Sequence, residues 1–337
     1  MNKKILVTGL LGVLLGMLCL PADAQLRRQQ NTTVTYEELY DEPYEINKLF
    51  VMFQPLYGEL FATNVTLGFG LEAQYYWEDK FDFRAHGRKS YHRSFDFYRD
   101  AAIKNADNLN TPQVFNLYEF GATYHIVDKE VDGTSRMFLY SKRYKGRKWA
   151  SMVPKNTEDI PMTVRKVYGA RLGGLFYNSS FDMNRVTQSQ EIGLTSVSGE
   201  PINPDAAIYG NIDVKGLYVG GSLANIRNFA VKPDRNYNDM VDDLMFTAYF
   251  DILVAPWINV EDIFYNDELY PADVVKTNIL GFRLGMEGKF NRTFGWAYGA
   301  ELGMRPGLNT KGFYALFKIS FPVYSTNLDY SVEAFGK

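Results

Sequence analysis

Residues 64–77 read NVTLGFGLEAQYYW, with Val65, Leu67, Phe69, Leu71, Ala73, Tyr75 and Trp77 on one parity and Asn64, Thr66, Gly68, Gly70, Glu72, Gln74 and Tyr76 on the other. A period of two is that of a strand whose two sides meet different environments. The same alternation returns over 244–254, 280–290, 294–304 and 313–321, and weaker copies run over 114–126, 164–176 and 208–223, the last with a slip expected near Gly216. In 81–97 the even positions Asp82, Arg84, His86, Arg88, Ser90, His92, Ser94 and Asp96 are all polar, whereas Phe81, Phe83, Ala85, Gly87, Tyr91, Phe95 and Phe97 share the other parity.

These patterns predict strands at 62–77, 81–97, 113–127, 134–144, 162–178, 208–225, 243–258, 275–290, 294–306 and 311–322. Many exceed the usual strand length of globular sheets and match tilted strands that cross a bilayer in about 9–11 residues. Aromatic residues gather at their ends, as in Tyr75-Tyr76-Trp77 and around Trp296, which fits interfacial girdles. The expected fold is all-β, a transmembrane antiparallel barrel of about ten strands, with eight to twelve allowed. The apolar parity then faces lipid, with Val65, Leu67, Phe69, Leu71, Leu280, Phe282, Leu284, Trp296, Leu302 and Phe317 as its carriers.

The ends of the chain add a location. MNKK, the apolar run Ile5 to Leu20 and PADAQ form a secretory signal peptide cleaved after Ala24, so Sec export to the outer membrane is expected. The chain divides into the signal peptide 1–24, an N-terminal periplasmic or plug segment 25–61 in which LFVMFQPLYGELF is open to an extra strand as an alternative, a barrel 62–322 and a tail 323–337. Pro55 and Gly58 argue against a long regular element before residue 62. With both termini periplasmic, connections 179–207 and 259–274 face outward, and 98–112, 145–161 and 226–242 face inward.

Composition supports an apolar outer wall around a polar interior. There are 24 Tyr, 24 Phe and 28 Gly, yet mean hydropathy is −0.25. The single cysteine, Cys19, lies in the signal peptide, so disulfides and thiolate metal sites are excluded from the mature chain. Net charge is −3; removing Lys3, Lys4 and Asp23, together +1, takes it to −4, which carries no nucleic-acid footprint.

The polar parity supplies the candidate chemistry. Glu72, Asp82, Glu119, Asp251, Glu287 and Glu301 face Arg84, Arg88, Arg165, Arg171, Arg283, Arg305 and Lys318 in the expected lumen, with Asp213, Lys215 and Lys289 assigned to the same face. Mixed signs in a narrow barrel predict ion pairs across a largely closed interior; a water-filled pore with a selectivity ring is the alternative. His86, Ser90 and His92 share a parity, and Glu119 or His125 on the next strand offers a partner, but residues two apart on a strand are about 6.6 Å apart, too far for a nucleophile and its base. No catalytic residue, cofactor or metal site is therefore expected.

Taken with the signal peptide, the segments NVTLGFGLEAQYYW, GFRLGMEGKF, FGWAYGAELGM and GFYALFKISF make the chain resemble bacterial outer-membrane β-barrel proteins over about 49–322. The resemblance implies contact with outer-membrane lipid and lipopolysaccharide. It departs at the C-terminus, where Phe321 is followed by PVYSTNLDYSVEAFGK rather than ending the chain. The expected role is a non-catalytic structural or interaction subunit of a Gram-negative envelope assembly or secretion complex, with protein partners. A small-solute, porin-like channel and a lipid-modifying barrel enzyme are the alternatives.

Overall fold

Each alternating segment contributes one strand to a closed sheet, because its two faces are satisfied only when one is turned to a shared interior. The computed structural model describes residues 35–91, 108–110, 112–139, 156–204, 208–234, 237, 239–292 and 295–326. Residues 1–24, expected to be a signal peptide, together with His92, Ser94 and most of the tail, lie outside them. The barrel strands are β1 (Leu49–Phe61), β2 (Asn64–Trp77), β3 (Phe81–Ser90), β4 (Asn116–Leu139), β5 (Asn156–Asp182), β6 (Tyr209–Ile226), β7 (Leu244–Val260), β8 (Leu280–Phe290), β9 (Ala297–Met304) and β10 (Phe313–Ser325). Each pairs antiparallel with its chain neighbours, and β10 closes on β1 through Leu316↔Glu59 and Lys318↔Tyr57. The structure is thus an all-β, ten-stranded, up-and-down barrel.

The count of ten agrees with expectation through two compensating differences. Leu49–Phe61 is a barrel strand, which moves the start of the barrel from 62 to 49. Its inward positions are Phe50, Met52 and Gln54, then Tyr57, Glu59 and Phe61, because a bulge between Gln54 and Tyr57 shifts the parity and places Pro55 where no ladder hydrogen bond is required. Conversely, residues 134–139 form no separate strand, and 140–144 of the expected element lie outside the described residues. Asn116–Leu139 is continuous, and a bulge between His125 and Val127 leaves Ile126 and Val127 both exposed, which erases the alternation there.

These differences also reverse two connections. Residues 78–80 lie at the end where the described chain begins and ends, here the terminal end, and the 91–115 connection leaves β3 and enters β4 at the opposite end, not with 145–161 and 226–242 as expected. The longest connections, 91–115, 183–208 and 261–279, therefore share the end away from the termini.

Both ends are covered. At the terminal end, Tyr36–Asp41 pairs with Phe229–Pro233, which pairs with Met240–Asp242. Residues after this strand enter the mouth, where Ile46 and Phe50 join Tyr76, Val167, Ile226 and Met245 in an apolar cluster. Beyond Tyr124 and Arg165, β4 and β5 continue as a two-stranded arm, tied to the small sheet by Thr163 N–H donating to Asp41 at 2.8 Å and by a Ser135 to Asp242 hydrogen bond. At the far end, helix α1 (Met183–Gln190) starts from Asp182, whose carboxylate accepts from Arg185 N–H. Its Met183 and Val186 join Phe61, Phe115, Leu117, Tyr177, Phe181, Leu253 and Tyr314 in a second, larger cluster.

Candidate functional site

Between the two apolar clusters the lumen is built from charge. Starting at the end away from the termini, Arg305 lies against Glu59 with two hydrogen bonds of 2.6 and 3.0 Å. The Phe61 and Tyr314 rings approach its guanidinium at 5.0 and 4.0 Å. The next layer joins opposite walls: Arg88 on β3 reaches Glu301 on β9 at 3.0 Å, and Arg283 on β8 reaches Glu119 on β4. Asp251 accepts from Arg283 Nε at 2.7 Å and from Arg171 Nε at 3.0 Å. Below it, Arg84 meets Glu72 at 2.8 Å and Glu287 at 2.6 Å, while Lys318 meets the same two carboxylates at 2.6 and 3.5 Å. Near the terminal end, Arg165 pairs with Asp128 and Asp79.

Every one of the thirteen charged positions expected in the lumen thus faces inward and has an oppositely charged or hydrogen-bonding neighbour; Asp82 sits 3.4 Å from both His125 Nε2 and Gln74 Nε2. Asp213 and Lys215 are the corrections. On β6 the even positions Ile212, Val214, Gly216 and Tyr218 are buried, so 213 and 215 point outward, and Lys215 Nζ lies 4.3 Å from the Trp257 ring centroid. The slip expected near Gly216 lies in the partner strand: β6 keeps its parity through Gly216, and the register against β7 shifts between Val254 and Trp257. The inward residues there are apolar because they meet the cluster at the far end, and Gly216 admits the β7 backbone, with Val254 O only 2.8 Å from where a Cβ would stand.

Room for these long side chains comes from inward glycines. A Cβ on Gly285 would stand 2.2 Å from the Tyr249 ring, and one on Gly121 or Gly173 would meet Tyr218. Tyr249 and Tyr218 in turn flank the cations, with Arg171 4.1 Å from the Tyr249 centroid and Arg283 4.5 Å from that of Tyr218. Sequence reasoning missed Glu59, Gln54 and Tyr57, since their strand was unrecognised. One void, between Arg84, Glu287, His125 and Ser222, measures about 20 Å³, the room of a single water.

Among the described residues of the histidine-bearing strand, which do not include His92 and Ser94, no nucleophile and base are brought together. Ser90 Oγ donates to the Phe115 carbonyl at 3.3 Å. His86 Nε2 stands 3.1 Å from Glu119 without hydrogen-bonding geometry, and His125 Nδ1 donates to the Asp79 carbonyl at 2.8 Å. Among the described residues, no group of three His, Cys, Asp or Glu side chains is arranged to hold a metal.

The outer wall carries the other parity. Leu67, Leu71, Leu280, Phe282, Leu284, Trp296, Leu302 and Phe317 are exposed, and Val65 and Phe69 half-buried. Aromatic groups collect toward both ends: Trp77, Phe81, Phe83 and Tyr124 pack with centroids 5.2–6.1 Å apart at one, while Phe69 and Tyr91 pair at 5.4 Å toward the other. Neither a protein-family model nor a curated protein sequence matches this chain.

Proposed function

We propose that the protein is an integral outer-membrane barrel without catalytic activity, acting as a structural or interaction subunit of an envelope assembly or secretion complex. The observation that carries this reading is a lumen crossed by ion pairs between opposite walls and covered by apolar clusters at both ends. Among the described residues these pairs and clusters occupy the barrel's cross-section, which supports a function carried by surfaces rather than by conduction. An outer wall rich in exposed Leu and Phe between aromatic clusters supports the membrane setting. The end bearing the termini, where the N-terminal strand, the small sheet and the β4–β5 arm are tied together, is the surface offered to a periplasmic partner.

The protein reconstituted in planar bilayers is expected to show no steady conductance; large ion-selective currents would establish the channel alternative instead. Photo-crosslinking from Glu37→Cys in native membranes is expected to capture a defined envelope protein that Val197→Cys, at the opposite end, does not. Identical products from both positions would remove the terminal end as the partner surface.

A further inference from the structure

One polar concavity interrupts the apolar outer wall. At the rim away from the termini, the chain before β4 crosses the ends of β5 and β6: Gln113 N–H donates to Ser180 Oγ at 2.7 Å, and Ser180 Oγ donates back to the Gln113 carbonyl at 3.0 Å. It then meets the hairpin after β7, where Leu109 N–H donates to the Phe264 carbonyl at 2.9 Å. Between these elements lies an open groove of about 600 Å³ lined by Asn110, Gln113, Asn116, Asn178, Glu261 and Phe264 among others.

The hydrogen bonding of the central pair leaves a specific pattern. Asn116 Nδ2 donates both to the Val114 carbonyl at 2.8 Å and to Asn178 Oδ1 at 3.0 Å. Asn116 Oδ1, an acceptor, and Asn178 Nδ2, a donor, remain available beside each other. Two adjacent hydroxyls, each both donor and acceptor, match such a pair. Among the described residues no lysine or arginine lines the groove and the one charge is the Glu261 carboxylate, so phosphate is disfavoured. Phe264, 46% exposed, offers an apolar face for the C–H side of a ring. Next along the same outward parity stand Tyr118 and Phe120, both exposed, with Phe120 stacked on Phe176 at 5.6 Å.

We propose that this groove binds the saccharide headgroup of an uncharged glycolipid, whose acyl chain runs along Tyr118 and Phe120. A sugar here exchanges water for amide hydrogen bonds while its chain stays on the apolar wall. This site is independent of the interaction-subunit reading and requires only that the wall face lipid.

The test uses the full mature chain in lipid nanodiscs free of sugar detergents, with octyl maltoside below its micelle concentration as the probe and saturation-transfer NMR of the sugar protons as readout. Saturable transfer is expected, displaced only weakly by maltose, with octyl phosphate not competing. Asn178→Leu should weaken binding by roughly fivefold to tenfold, the effect of losing one hydrogen bond. Asn178→Asp, which keeps the size and removes the donor, should do the same with heat-modified mobility unchanged. Binding unaltered in Asn178→Asp, or equal competition by octyl phosphate, overturns the site. Equal affinity for maltose alone overturns its assignment to a lipid headgroup.

Discussion

On β8, Phe282 and Arg283 are sequence neighbours with opposite surroundings. Phe282 is exposed on the outer wall beside Phe250, while Arg283 is buried in the lumen between Asp251, Glu119 and the Tyr218 ring. The outer face is uniform and nearly interchangeable from strand to strand. The inner face is specific, because each cation there is matched to particular carboxylates. A wall facing a bulk phase needs only the right polarity, whereas a closed interior must satisfy every charge individually.

The sharpest way to break this contrast is to unpair one interior charge. Glu301→Gln leaves the fully buried Arg88 without its carboxylate and should cost about 3–5 kcal/mol, whereas Arg88→Met with Glu301→Met should recover most of that loss. Urea unfolding of refolded protein, followed by the shift in heat-modified mobility, measures both. A double variant as unstable as the single one would refute the pairing argument.

On the outer wall the corresponding insult is a charge on the apolar face. Phe282→Arg should cost about 2–4 kcal/mol if the wall meets the bilayer centre. The same variant in detergent micelles and in bilayers separates lipid exposure from simple loss of packing, since only lipid exposure makes the cost larger in the bilayer.

Space, not charge, is tested at Gly285. Gly285→Ala places a methyl against the Tyr249 ring and should cost about 1–3 kcal/mol, an amount that Tyr249→Leu in the same chain should reduce. The smallest effect belongs to Lys215. Because its ammonium lies outside the lumen over Trp257, Lys215→Gln should change stability by no more than about 0.5 kcal/mol, against a much larger loss for Lys318→Gln. Equal losses would return Lys215 to the interior.

Much of the barrel was legible because the strand period and the lumen boundary coincide. Wherever a strand runs without interruption, as in β2 and β8, parity alone assigns Leu67 and Phe282 outward and Glu72 and Arg283 inward. Legibility failed at bulges. One extra residue at Pro55 shifted the parity of β1 and hid Glu59, and another near Ile126 made one long strand read as two. It failed again where the apolar clusters enter the barrel. On β6, Ile212 and Val214 are apolar and inward, so polarity no longer marks the side, and Asp213 and Lys215 were assigned to the wrong one.

The sequence by itself determined the class of architecture, the polarity of its two faces and the balance of charge between them, because these depend on side-chain chemistry repeated at a period of two. Only the tertiary structure decided which charges meet. Arg84 and Glu287, or Arg88 and Glu301, are separated by some two hundred residues and stand on strands across the barrel. Their pairing depends on closure, on strand stagger and on the bulges that reset it, and none of these leaves a local periodic signal.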